Sequence, residues 1–207
     1  MSNPHCQIIA ADKIPGPQLP SHRILPWLWS GDEAYLTSLF HLSDGQSTLA
    51  ERVDDPASLY HHKSVTVAIV NDIPQGGFLL WPGHQLSRRR EADLVDLFVR
   101  TPAHARQHQR AILRELTALQ GPVDRRDAYL AALGVAASVA DPAPVYRSLV
   151  DAAIEVATDA HLDYLRVDLD IDHPALNTLR RRFGFRVFDH RTSTALAMER
   201  LHLHRPI

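Results

Sequence analysis

Three carboxylates, Asp168, Asp170 and Asp172, alternate with Val167, Leu169 and Ile171. On a strand this alternation places all three on one face. Neighbouring like charges raise the pKa of one member, which suits a general base. The same set could hold a metal, or form a solvated strand face with Arg166 as its ion-pair partner. A calcium loop is excluded, because its sixth position is His173 rather than Gly and its twelfth is Leu179 rather than Glu. Among 13 histidines, His61 with His62, His104 with His108, and His202 with His204 have ligand-like spacing. None has a third ligand placed nearby, and a zinc site needs three or four. The chain has no Gly-x-Ser-x-Gly elbow and no His-Glu-x-x-His, and Cys6 has no evident partner, so nucleophilic catalysis has no support.

A second stretch, "GVAASVADPAPVYRSLVDAAIEVA" from Gly134 to Ala157, reads as a strand end, a loop and an amphipathic helix. A loop entering a helix N-terminus is a place to cradle a phosphate, and such loops are usually glycine-rich. This loop has no glycine and carries Pro142 and Pro144, although Arg147 lies in the first helical turn.

The elements that must position these residues follow from periodicity. Residues 1–22 read as a proline-rich arm, with a short strand at "CQIIAA", and "HRILPWLW" reads as another short strand. Ser30 and Asp32 are placed to cap a helix through "EAYLTSLFHL". "SVTVAIV" and "GGFLLWP", joined by "NDIPQ", form an antiparallel hairpin. Residues 86–120 are helical, broken at Thr101-Pro102, with Thr101 as the expected N-cap of the second segment. That segment carries an apolar stripe of Ala105, Ile112, Leu113, Leu116 and Leu119, which packs on this chain's own sheet or on a two-fold partner. "DAYLAALGVAA" is apolar throughout and reads as a central strand. The helix after the quoted loop, the strand "DYLRVDLDID", a helix over 174–183 ending at Gly184, and the strands "FRVFDH" and "STALAMERL" complete the chain.

The composition is ordinary for a soluble globular protein, 45% hydrophobic and 22% charged with a formal charge of −2, and 207 residues are enough for one well-filled core. That balance gives no reason to expect nucleic acid or an anionic membrane as partner. Arg88 to Arg90 and Arg180 to Arg182 are basic clusters within or beside predicted helices, where a solvated face is the plain reading. Trp27, Trp29 and Trp81 read as packing or groove residues, since no basic surface accompanies them. One cysteine excludes an intrachain disulfide and no apolar run has membrane-spanning length, so a cytoplasmic location is expected.

The order "AYLAALGV", loop, "YRSLVDAAIEVA", "DYLRVDLDID", "HPALNTLRRRFGF" and "ALAMERL" resembles the GNAT N-acetyltransferase superfamily, most specifically at "RRFGFRVF", where a helix ends in Gly-Phe and turns into the next strand. The resemblance implies an α/β (α+β) fold: a mixed, mostly antiparallel sheet with helices on both faces and two splayed parallel strands, ending near Val135 and Asp172. It implies one domain over 23–207, behind the arm at 1–22, with a helical insertion at about 86–120. It also implies an acyl-coenzyme A co-substrate such as acetyl-CoA and a small-molecule amine acceptor; family members are often homodimers, which is the second of the two readings of the apolar stripe, and the histidine and aspartate spacings give no reason to expect a metal.

On that reading the pantetheine arm pairs with the strand around Leu133, Gly134 and Val135. The pyrophosphate sits at the following helix N-terminus, near Tyr146, Arg147 and Ser148. The family's loop pattern, Gln/Arg-x-x-Gly-x-Gly/Ala, is absent here. Matched on Leu149, its glycine positions fall on Pro144 and Tyr146 and its leading position on Asp141. Counted from Val135, they fall on Ala143 and Val145, with Ala140 leading. Where many members have a tyrosine four residues before the Gly-Phe glycine, this chain has Arg180, and His173 stands where the family has Asn. Arg180 cannot act as an acid, but it can hold a thiolate or phosphate. Asp170, lying before the splay, is the expected base, and Trp81 lies near the acceptor position.

Overall fold

The computed structural model describes residues 6–10, 13, 21–42 and 44–207, so most of the arm lies outside the described residues. Among the described residues seven strands, β1 (Cys6–Ala10), β2 (Val65–Val70), β3 (Ile73–Pro82), β4 (Asp127–Val135), β5 (Tyr164–Asp170), β6 (Arg186–Ser193) and β7 (Met198–Pro206), form one sheet in the order β1-β2-β3-β4-β5-β7-β6. Every neighbouring pair is antiparallel except β4 and β5. The β2–β3 hairpin closes through Asn71 and Asp72, at φ 52° and 61°, the left-handed pair that a two-residue turn between twisted strands requires. β4 is buried at all nine residues, which fits its apolar run after Asp127.

Helices cover both faces. On one lie α1 (Ser21–Ser30), α2 (Glu33–Leu39), α3 (Gly45–Asp54), α4 (Gly83–Arg100) and α5 (Arg106–Ala118), and on the other α6 (Ala143–Asp159) and α7 (Leu176–Arg182). The stripe on α5 packs on this chain's own core, with Leu116 and Leu119 buried and Ile112 and Leu113 against them. α7 ends at Gly184, whose φ of 71° suits a left-handed cap.

Two local readings are corrected. "HRILPWLW" belongs to helix α1, with Pro26 inside it. The aromatic residues and the proline favour an extended segment, but Ile24, Trp27 and Leu28 are fully buried at helical spacing, and that burial decides the conformation. Thr101 closes α4 instead of opening α5. Its hydroxyl donates to the Leu97 carbonyl at 2.7 Å, and a short 3-10 turn, Ala103–Ala105, precedes α5.

α1 lies hard against the sheet. A Cβ on Gly134 would strike the carbonyl of Trp27, and one on Gly31 would lie 3.0 Å from the carbonyl of Leu133. The chain therefore crosses from α1 into α2 directly over the end of β4.

Candidate functional site

β4 and β5 pair from Asp127 with Tyr164 to Leu130 with Val167 and then part. β4 runs on to Val135 along β3, and β5 runs on to Asp170 along β7. The parting leaves a wedge with one edge formed by the backbone of Leu133 and Val135. In the structure, this chain's own groups fill that edge. Ser30 Oγ donates to the Val135 carbonyl at 3.1 Å. Tyr146, buried in the first turn of α6, turns its hydroxyl toward the Val135 backbone amide without a well-formed hydrogen bond, and burial pushes the phenol up to about 12. His173, 8% exposed, packs edge-on to Tyr146 with ring centroids 6.2 Å apart. Its Nδ1 accepts the Ala175 N–H at 3.1 Å, which puts the imidazole proton on Nε2. Nε2 lies beside the carbonyls of Gly31 and Leu133 without a well-formed hydrogen bond. Burial lowers this imidazole to about 4, against the pull of the Gly31 carbonyl.

The N-terminus of α6 is likewise occupied. Asp141 accepts the Ala143 N–H at 3.2 Å, so the first anion on this helix end is the chain's own carboxylate. Pro144 has no N–H, and the Tyr146 N–H bonds to the Pro142 carbonyl. Arg147 points to solvent, and Ser148 Oγ donates back to the Pro144 carbonyl at 3.3 Å. Arg180 is exposed on α7, in a groove of about 490 Å³ shared with Asn177, Arg181, Phe185, Arg186 and Val187. The expected cofactor residues thus divide: Leu133, Val135 and Tyr146 meet at the wedge with the chain turning past Gly134, whereas Arg147 and Arg180 face outward.

On the opposite face, where the strands part, lies a buried charge network that the aspartate alternation did not reveal. Arg200 on β7, 3% exposed, makes a bidentate pair with Asp32 at 2.6 and 3.2 Å. It also donates to the Asp168 carbonyl at 2.8 Å and lies 3.5 Å from Asp170. The Asp168 carboxylate takes His202 Nδ1 at 2.7 Å and the Tyr129 hydroxyl at 2.9 Å, with Arg90 at 3.9 Å. Asp168 is buried, yet His202, Arg200 and Arg90 hold its carboxyl below the usual range. Burial raises Asp170, and the charge of Asp172 adds to this while Arg200 opposes it. The three aspartates are therefore not one solvated face. Asp168 is core, Asp170 half-buried and Asp172 exposed, and Arg166 pairs with Asp127 and Asp124 instead. The missing signal was register: β5 and β7 set Asp168 opposite His202 and Asp170 opposite Arg200.

Asp32 serves Arg200 and makes no side-chain cap on α2. Trp81 is buried, with its indole N–H on the Leu59 carbonyl at 2.8 Å and the Arg89 guanidinium 3.5 Å above its ring. Asp170, Asp172, His173, Ser30 and Glu33 line an acidic hollow of about 290 Å³ at the mouth of the wedge. Among the described residues, no group of three or more His, Cys, Asp or Glu could hold a metal ion. No helix among them is long and apolar enough to cross a membrane.

No protein-family model and no curated relative matches the sequence. Solved structures do match the fold. A crystal structure of an N-acetyltransferase from Staphylococcus aureus Mu50 aligns with TM-score 0.59 at 14% identity, over 86% of this chain and 95% of that one. Agmatine N-acetyltransferase aligns with TM-score 0.61 at 12% identity, over 98% and 99%. A GNAT family acetyltransferase from Elizabethkingia anophelis, with acetyl-CoA bound, aligns with TM-score 0.50 at 11% identity, over 98% of both chains. The fold of this chain is the GNAT fold, with the mixed sheet and the single parallel pair that define it.

Proposed function

We propose that the protein is an acyl-coenzyme A-dependent N-acyltransferase acting on a small amine, with an atypical coenzyme loop. The observation that carries the reading is the parting of β4 and β5 beside a half-buried carboxylate, Asp170, whose pKa is raised. Asp170 would take the proton as the amine nitrogen bonds to the acyl carbon; the C–S bond breaks and the thiolate is reprotonated from solvent. The Val135 N–H would hold the carbonyl oxygen, and the Tyr146 hydroxyl lying beside it would have to give way as the thioester seats. With the first turn of α6 so poorly supplied with free N–H groups, the diphosphate would depend on Arg147 and Arg180. Titration calorimetry with acetyl-CoA tests this: heat that saturates, and a loss of affinity of about tenfold or more in Arg147→Ala, is the expected result. No heat at millimolar ligand would sink it.

A second reading is favoured by one specific observation, the occupation of the wedge and of the α6 N-terminus by Ser30, Tyr146, His173 and Asp141. On that reading the fold is kept and coenzyme binding is lost, leaving a binding or regulatory module or an enzyme of other chemistry in the same cleft. Glycines at Pro142, Pro144 and Tyr146 would then create acetyl-CoA binding where the natural chain shows none.

A further inference from the structure

Between α4 and α5 runs a groove of about 440 Å³, apart from the wedge. Leu94, Val95, Phe98 and Val99 give it an apolar wall, and Val95 and Val99 stand 54% and 66% exposed there. Its volume is that of a small-molecule site, with the apolar wall faced by the polar side chains of Ser87, Arg90, Glu91, Thr117 and Gln120. Arg90 lines this groove and also the small polar chamber behind it, which holds Tyr35, Tyr129, Asp168 and Arg200. The Arg90 side chain is only 15% exposed, and its contacts lie on the chamber side: the Tyr129 ring at 4.5 Å and hydroxyl, and Asp168 at 3.9 Å. Asp168 is already served by His202 and Tyr129, and a guanidinium carries five N–H donors, more than Tyr129 and Asp168 take from Arg90, which lines the groove as well as the chamber.

The charge around the groove is mainly positive. Arg106 and Arg110 lie over the Phe98 ring, at 6.0 and 5.4 Å from its centroid, while the lining holds one carboxylate, Glu91, exposed at the rim. A second copy of this chain seated there would bring like charges together. We infer that this groove binds a small amphipathic carboxylate, an aliphatic or aryl-alkyl acid, with its carboxylate on Arg90 and its chain along Leu94, Val95 and Phe98. The site does not depend on acyl transfer or on the wedge.

Calorimetry of the full chain with sodium octanoate, 1-octanol and octylamine tests the inference. Octanoate is expected to bind at one site, about tenfold or more tighter than octanol, because only octanoate completes a charge-assisted bond to Arg90. Arg90→Gln should bring the two ligands level. Arg90 also supports Asp168, so Val95→Glu, on an exposed position that folding does not need, is the second variant. It should weaken octanoate about tenfold or more by placing a like charge in the groove. Octanoate binding no tighter than octanol or octylamine would overturn the proposal, and so would octanoate affinity unchanged in Val95→Glu. Sedimentation showing a dimer that Val95→Glu dissociates would mean a second copy covers the groove, and would overturn it equally.

Discussion

The two faces of the sheet at the β4–β5 parting are held in different ways. On the α6 side, the wedge is closed by neutral groups, the Tyr146 side chain and the uncharged His173 imidazole. On the α1 side, Arg200 pairs with Asp32 and lies near Asp170, and Asp168 takes His202 and Tyr129 with Arg90 close by, so each buried carboxylate has a cation or a donor. A neutral hydrogen bond contributes roughly 0.5–1.5 kcal/mol, whereas unpairing a buried charge costs about 3–5 kcal/mol. The first side can therefore open at modest cost, and the second cannot. A ligand that needs the strands' parting can enter by displacing Tyr146 and His173, while the ionic side keeps the parting in register.

The largest effect should come from breaking the stiff side. Arg200→Ala leaves Asp32 without its bidentate partner and Asp170 without its nearby cation, and should lower stability by about 3–5 kcal/mol in urea unfolding. A loss below about 1 kcal/mol would mean that water supports these carboxylates, and the contrast between the faces would fail.

The next effect lies in pH. The His173 imidazole is lowered from 6.5 to about 4 in the folded protein. Between those values the unfolded chain binds a proton that the folded chain refuses, so this contribution is complete above pH 6.5 and is lost as pH falls toward 4. The loss is on the order of 3 kcal/mol. His173→Asn keeps a side-chain acceptor for the Ala175 N–H and should abolish that slope. Asp32 and Asp93, both raised to about 6 by burial, act in the opposite sense but are common to both proteins and cancel in the difference. Parallel stability profiles for the two proteins from pH 7 to 4 would show that His173 is not held neutral in the wedge.

The smallest effect sharpens the soft side. Tyr146→Phe keeps the ring and removes the hydroxyl beside the Val135 amide, and should cost no more than about 1 kcal/mol. Hydrogen exchange at Val135 should accelerate while exchange within α1 stays unchanged. If Val135 exchange is unaffected, the hydroxyl does not latch the wedge.

Much of the frame was legible in the chain. The alternation of β5, the apolar run of β4, the hairpin and the helix ending at Gly184 are local patterns, and each appears where its period places it. The wedge was partly legible: the glycine-free loop and Tyr146 lie where the resemblance puts the pyrophosphate. The inward turn of the Tyr146 hydroxyl toward Val135 depends on packing of α6 against the sheet, which no local pattern carries. The ionic network was illegible for a related reason. Arg200 meets Asp32 across 168 residues of sequence and Asp170 through strand pairing, and neither separation leaves a periodic trace. Helix α1 was misread because its residue types and Pro26 favour an extended chain, and only burial at helical spacing overrides them.

The contact of α1 with the end of β4 has a consequence for movement. With the Trp27 carbonyl against Gly134, and Gly31 against Leu133, there is no clearance between helix and strand. The two behave as one plate, with Ser30 pinned to Val135. Any widening of the parting must then be made by the other jaw, the segment from Asp170 through His173 into α7. A visitor to the wedge would arrive from the α6–α7 side, and residues 171–175 would be the hinge that admits it.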